Sequence, residues 1–248
     1  MLSARALEGL PEIAAGEDLS GLIAGAMRGE AQRGDVLVLA HKIVSKAEGR
    51  VRVLAEVSPT RQAAELAAEL GKDPRHVQVV LDESDRVLRA QNGVLICVTH
   101  HGFVCANAGV DASNAGVQGT LILLPEDPDR SARRLRAELR ELTGVSLGVV
   151  ITDSFGRAWR RGQCDVAVGC AGLEPLEDWR GRVDAAGREL RATWISVADE
   201  LAAAADLVRG KDSSEPAVLI RGAGRHVIEA DGPGAASLVR PEAEDLFR

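Results

Sequence analysis

Nine short runs rich in Val, Ile or Leu, each closed by turn residues, exclude a helical bundle for this chain. They cover 35–40, 51–55, 77–81, 94–99, 103–106, 121–124, 147–152, 164–168 and 217–221. Only four helical signals lie among them. The stretch 17–33 places Leu19, Leu22, Ile23, Ala26 and Met27 on one face and stops at Gly34. Residues 61–70 follow Ser58-Pro59, a cap and first-turn proline, and end at Gly71. The run 130–142 aligns Leu135, Leu139 and Leu142 ahead of Gly144. The alanine-rich 197–209 has Ser196 as its cap, with Asp199 three residues on, and closes at Gly210. His100-His101-Gly102 between two apolar runs predicts a hairpin, so strict βαβ alternation fails. The expected class is α+β, with mixed or antiparallel sheets and flanking helices.

Composition narrows what such a fold can do. A formal net charge of -7 with three Phe, three Trp and no Tyr gives neither the basic footprint nor the stacking platforms of a nucleic-acid binder. An acidic chain that takes an anionic ligand needs a local basic cluster. No apolar run approaches the roughly 18 residues of a membrane span. The first 19 residues carry Arg5, Glu8, Glu12, Glu17 and Asp18, which is no secretory signal. Four cysteines without a CxxC pair read as reduced thiols, so a cytoplasmic protein is expected.

Three polar clusters follow strand signals. Asp153 comes directly after 147–152 and opens a glycine-containing stretch with Ser154, Arg157, Arg160 and Arg161. A carboxylate there can hold a hard cation, with guanidiniums meeting phosphate oxygens beside it. The same residues serve equally well as an Asx-turn and a solvated basic loop. Residues 105–114 supply Asn107, Gly109, Asp111, Ser113 and Asn114, oxygen ligands that surface turns also use. Lys42, Lys46 and Arg50, with Gly49, form the local positive patch. No GxxxxGK[ST] loop occurs, and Gly222-Ala223-Gly224 lacks the third glycine of a dinucleotide fingerprint. Cys97, His100, His101 and Cys105 have zinc-ligand chemistry, but their alternation in an apolar hairpin favours buried thiols and turn histidines. His41, His76 and His226 show no recognisable partner in the sequence.

Five ordered blocks then resemble one family: LPEIAAGEDL (10–19), GDVLVLAHKIVSKAEGR (34–50), GFVCANAGVDASN (102–114), GVVITDSFGRAWRRGQCDVAVGCAG (148–172) and LVRGKDSSEPAVLIRG (207–222). Together they are similar to the coenzyme F420-0:L-glutamate ligases. The resemblance implies GTP-dependent γ-glutamyl ligation to coenzyme F420-0 or its dehydro form, with L-glutamate as co-substrate. It implies two divalent cations (Mn2+ or Mg2+) and a K+ ion. It also implies an intertwined homodimer of two interleaved subdomains, roughly 1–85 with 190–248, and 86–189. Carried over by position, Asp111, Asp153 and Ser154 are metal ligands. Leu10, Pro11, Glu12, Ile13, Ser45, Lys46, Arg50 and Asn114 border GTP, as do Arg209, Gly210, Lys211, Asp212, Ser213, Ser214, Glu215 and Pro216. Asp111, Asp153 and Lys46 are catalytic by the same correspondence; Arg157 and Arg160 join them as charge partners inferred from the loop.

Ser154 stands where the family often has Thr, which keeps the hydroxyl. Lys211 stands where some members carry a metal-binding Gln, and an ammonium cannot coordinate a cation. The final stretch 240–248 resembles a junction in bifunctional fusions. Two competing classes use the same residues. A metal-dependent phosphohydrolase or nucleotidyltransferase consumes nucleotide without glutamate, and a non-catalytic deazaflavin-binding module is indifferent to losing Asp153.

Overall fold

The computed structural model describes residues 1–112, 119–210 and 213–246. In chain order the first half comprises β1 (Ser3–Ala6), α1 (Leu19–Met27), β2 (Val36–Ala40), α2 (His41–Ala47), β3 (Val51–Val53), α3 (Arg61–Leu70), α4 (Pro74–Asp82), β4 (Ser84–Gln91), β5 (Val94–Thr99) and β6 (Val104–Ala106). Then come β7 (Thr120–Ile122), α5 (Pro128–Thr143), β8 (Gly148–Arg157), β9 (Arg160–Ala171), β10 (Leu176–Asp178), β11 (Trp194–Ser196), α6 (Val197–Val208) and β12 (Ala217–Arg221). The fold is α+β, with one mixed sheet, smaller antiparallel sheets and flanking helices.

The main sheet has the order β1-β12-β2-β8-β9. Only β2 and β8 run parallel, with Leu39 level with Ile151, and the other pairs are antiparallel. Strand β2 and the first half of β8 are buried on both faces, which is why they read as unbroken apolar runs. Leu37, Leu39, Val149 and Ile151 pack on α1 and α5. Val38, Val150, Val218 and Ile220 pack on α6 through Val197, Leu201 and Ala205. A separate core gathers α3, α4, β5 and β7 around Ala63, Val77, Val80, Leu95 and Leu121.

Several expectations need correction. The run 77–81 is not a strand but lies inside α4. Asp73 caps that helix by accepting the Arg75 amide, and Pro74 fills its first position. These start signals outweigh the β-branched composition. Helix α3 is capped by Thr60, whose hydroxyl accepts from the Ala63 amide, and not by Ser58-Pro59. In α5, Leu135 and Leu139 are buried, while Leu142 is exposed two residues before the Gly144 cap. Ser196 precedes α6, yet its hydroxyl donates to Asp199 at 2.8 Å and caps no amide. Asp153 opens no loop either. Strand β8 continues through Arg157 and pairs with β9, so the basic stretch is a hairpin turning at Ala158 and Trp159.

The predicted hairpin at 100–102 does join β5 to β6. Cys97 and Cys105 face each other across it as buried thiols, and burial pushes Cys105 up to about 12. His100 turns to Asp85, and His101 turns to the Pro125 and Glu126 carbonyls, so the four residues do not converge. No helix among the described residues is long and apolar enough to cross a membrane.

Candidate functional site

The carboxyl ends of β1, β2 and β8 and the amino end of β12 share one edge of the main sheet, as the registers Ala6↔Val218, Leu39↔Ala217 and Leu39↔Ile151 require. Segments 8–13 and 41–50 leave the sheet at this edge, 209–216 enters there, and β8 runs past it through Asp153 to Arg157, still paired with β9. Ligands of open sheets collect at such carboxyl ends, where helix N-termini and connecting loops meet.

Strand β2 passes straight into α2, and its first two helical residues each reach a carboxylate. His41 is buried; its Nδ1 lies 3.2 Å from Ser45 Oγ, one turn along. Its Nε2 lies 3.4 Å from Asp153 Oδ1, beyond the length of a well-formed N–H···O bond, and has no other partner among the described residues. Lys42 Nζ lies 2.6 Å from Asp111 Oδ2. Asp153 also accepts the Ser154 amide at 2.8 Å. Burial works against its ionisation, but His41 and that amide outweigh it, and the carboxyl stays below its usual range. The Asp111 charge pulls the other way, so the two carboxylates feel one another.

Asp111 is held by its own backbone. Asn107, Ala108 and Gly109 all have positive φ, a sharp turn directly after β6. A side chain at Gly109 would meet Leu124 at 2.8 Å, so glycine is required there twice over. Asp111 N then donates to Ile122 O at 3.0 Å, and Ile122 N returns to Asp111 O at 2.8 Å. Consecutive left-handed residues beside a carboxylate are the kind of backbone that functional sites retain.

Behind Asp153 lies a second network. Successive strand residues face opposite ways, and Ser154 Oγ donates to Asp165 Oδ1 at 2.6 Å. Thr152 Oγ1 donates to Asp165 Oδ2 at 2.8 Å, and the Arg209 guanidinium completes a buried ion pair with the same carboxylate. Arg209 also donates to Thr152 Oγ1 at 3.0 Å and to Pro216 O at 3.2 Å. The guanidinium therefore fastens the 209–216 stretch to β8. Within that stretch Ser213 donates to Gly210 O, the Glu215 amide donates to Ser213, and Ser214 is left-handed. Pro216 O accepts the Ala40 amide at 2.8 Å.

The remaining expected residues fall in three places. Lys46 Nζ donates to Glu12, tying 10–13 to α2. Ile13 is buried there, Leu10 half-buried, Pro11 exposed. Arg50 donates to Leu124 O at 2.9 Å and to Glu83 at 2.5 Å, bridging toward the α4 core. Arg157 and Arg160 pair at the outer end of the β8–β9 hairpin, beside the 79% exposed Trp159. At ~3.3 Å per residue, Arg157 stands roughly 13 Å along β8 from Asp153. Asn114, Lys211 and Asp212 lie outside the described residues.

Two residues at the centre were passed over in the sequence reading. His41 has a partner after all, and the signal for it is position: it is the first residue beyond the carboxyl end of a buried parallel strand. Asp165 is a lone carboxylate in an otherwise apolar stretch of β9, a pattern that predicts a buried partner. His226 accepts from Arg225 at 2.8 Å, whereas His76 Nε2 stays without a partner among the described residues.

The site is thus a mixed sheet of an α+β fold with two carboxylates, Asp111 and Asp153, each met by a nitrogen-bearing side chain from the first turn of α2. Residues 9–222 match the family described as F420-0:gamma-glutamyl ligase. Three relatives carry the name coenzyme F420:L-glutamate ligase. The Methanothermobacter thermautotrophicus protein is 45% identical over 98% of this chain and 97% of its own length. The Methanopyrus kandleri protein is 48% identical over 94% and 92%, and the Archaeoglobus fulgidus protein 46% over 98% and 94%. The chain belongs to the F420-0:gamma-glutamyl ligase family and is an enzyme of the ligase class.

Proposed function

We propose that this enzyme adds L-glutamate through γ-linkages to coenzyme F420-0, or its dehydro form, at the expense of GTP. The observation that carries the reading is that the first turn of α2 meets both Asp153, through His41, and Asp111, through Lys42, at the sheet edge where segments 8–13 and 209–216 also emerge. In this family the names of the relatives supply the acceptor and the amino acid.

The donor set fits divalent cations. Two mutually perturbing carboxylates offer hard oxygens, while the Ser154 hydroxyl, turned to Asp165 on the other face of β8, would have to leave that contact to join them. Asp111, Asp153 and Ser154 would hold Mn2+ or Mg2+, with K+ completing the set. Such ions neutralise charge on phosphate oxygens during transfer.

A free carboxylate does not react with an amine, so the acceptor's carboxylate oxygen first takes the γ-phosphoryl group and GDP departs. The glutamate nitrogen then attacks the acyl carbon of that acyl phosphate, inorganic phosphate leaves, and the amine loses a proton. Little covalent work falls to the protein; positioning and charge dominate. Lys46, drawn to Glu12, brings a cation to the edge where the 10–13 segment borders the nucleotide. Arg209 keeps the 209–216 stretch against β8. Arg157 and Arg160 offer guanidiniums further out, at a distance suited to anionic groups of the acceptor rather than to the reacting carboxylate.

The functional unit in this reading is a cytoplasmic homodimer of interleaved subdomains. The deciding experiment incubates purified protein with F420-0, glutamate, GTP and Mn2+, and reads stepwise glutamate additions by mass spectrometry. GTP consumption without glutamate would instead mark a phosphohydrolase, and coenzyme binding without turnover a carrier module.

A further inference from the structure

Lys42 carries an inference that rests on the reading of Asp111 as a cation ligand and goes beyond it. Its ammonium lies 2.6 Å from Asp111 Oδ2, and the lysine side chain is only 20% exposed against 38% for the aspartate. The residue before it, His41, meets the other carboxylate, so the first turn of α2 accounts for both acids of the site. A divalent cation on Asp111 and an ammonium on the same carboxylate exclude one another, because like charges at such short range in a partly buried site repel strongly.

We propose that Lys42 is an exchangeable counter-ion: it neutralises Asp111 in the metal-free enzyme, is displaced when the cation binds, and then pairs with the nucleotide phosphates. The lysine stem has the length and freedom for such a swing, and a compact ammonium is a common point-charge partner for phosphate. Lys46 emerges one helical turn further along α2, beside the 10–13 segment, so the displaced charge stays on the face where the nucleotide is expected. The device keeps the acidic pair from being left uncompensated, and it couples cation entry to nucleotide binding.

The test uses the full chain and separates metal from nucleotide. Mn2+ binding without nucleotide is followed by electron paramagnetic resonance, and binding of a non-hydrolysable GTP analogue by calorimetry at saturating Mn2+. Lys42→Gln is expected to bind Mn2+ alone about three- to tenfold tighter, since no ion pair of this partly exposed kind must be broken, and to bind the analogue weaker by a similar factor. A purely structural role moves both affinities the same way. Unchanged or weaker Mn2+ binding by folded Lys42→Gln overturns the proposal. Should that variant not fold, Lys42→Arg retains the charge and is expected to bind Mn2+ no tighter than the wild type; tighter binding overturns the proposal equally. Asp111→Asn separates the two readings. If it leaves Mn2+ affinity unchanged, Asp111 is no ligand and both fall. If it weakens Mn2+ binding while Lys42→Gln does not strengthen it, only the counter-ion role falls.

Discussion

One buried imidazole joins helix to strand at the centre of the molecule: His41 Nε2 faces Asp153 Oδ1 across 3.4 Å, and its Nδ1 meets Ser45 Oγ at 3.2 Å. This contact opposes the burial of Asp153 and helps to hold its carboxyl below the usual range. A folded-state pKa below the unfolded ~3.9 makes ionisation stabilising above about pH 4, and that share is lost as pH falls through the lower folded value. In His41→Gln, burial of Asp153 dominates and the share shrinks. Wild type is therefore expected to exceed the variant in denaturant midpoint at pH 6–7, with the gap closing below about pH 4. A gap that persists unchanged at pH 3 would show that His41 acts by packing alone.

Asp153 itself gives the sharpest loss. Asp153→Asn keeps the shape and the Ser154 amide contact but removes the charge for a cation. Ligation is expected to fall by at least about a hundredfold while circular dichroism stays unchanged. Turnover near the wild-type rate in that folded protein removes Asp153 from the site.

The pair Arg209 and Asp165 tests a different point. Their side chains are 8% and 3% exposed, so taking away the guanidinium leaves a buried carboxylate without that ion pair. Arg209→Met is expected to cost about 3–5 kcal/mol, and adding Asp165→Asn should recover part of it. Guanidinium unfolding measures the first effect, and a GTP titration runs beside it. Full stability with a raised GTP requirement would move Arg209 from fastening to direct nucleotide contact.

Much of this architecture is legible in the residues, and the misreadings share a cause. Strands β2, β5, β8 and β12 and helices α1, α3, α5 and α6 announce themselves by apolar runs or by capped, periodic stretches. Helix α2 did not: HKIVSKA follows a strand with no capping side chain, so neither propensity nor punctuation marks its start. Strand β1 (SARA) is four residues of mixed polarity, recognisable only by its pairing with β12. The run at 77–81 looked like a strand because Val content is a local property, while Asp73 and Pro74 set the helix from outside it. At the site, Asp111 and Asp153 were visible as carboxylates after strands. That Lys42 and His41 would meet them depends on a long-range register, which one chain's local pattern does not encode.

His100 supplies a pH signature away from the site. Its ring reaches the Asp82 carbonyl at 2.9 Å and the Asp85 carboxylate at 2.5 Å, and those contacts raise it above the ordinary histidine range. A raised folded pKa contributes stability that is complete below about 6.5 and disappears as pH rises through the folded value. The ring is half exposed, so screening limits the gain to a few tenths of a kcal/mol, about 0.2–0.5. Thermal melts of wild type and His100→Asn should differ slightly at pH 5.5 and coincide by pH 9. A difference that grows with pH contradicts the assignment.

The outer β8–β9 hairpin bears on quaternary structure. Its strands pair from Ser154↔Asp165 out to Arg157↔Arg160, yet residues 156–163 are exposed and Trp159 stands at the tip in a left-handed conformation. A two-stranded ribbon is marginal by itself in water, and an exposed Trp among three arginines is the residue set that interfaces favour. The homodimer proposed above is expected to cover this ribbon with a second copy, and an intertwined contact should bury more than about 2,000 Å². Light scattering at low micromolar concentration is expected to report twice the chain mass, and Trp159→Ala should shift the equilibrium toward monomer by about tenfold or more, as for a hot-spot aromatic. A stable wild-type monomer at that concentration would remove the dimer. A dimer indifferent to Trp159→Ala would place its interface on another face.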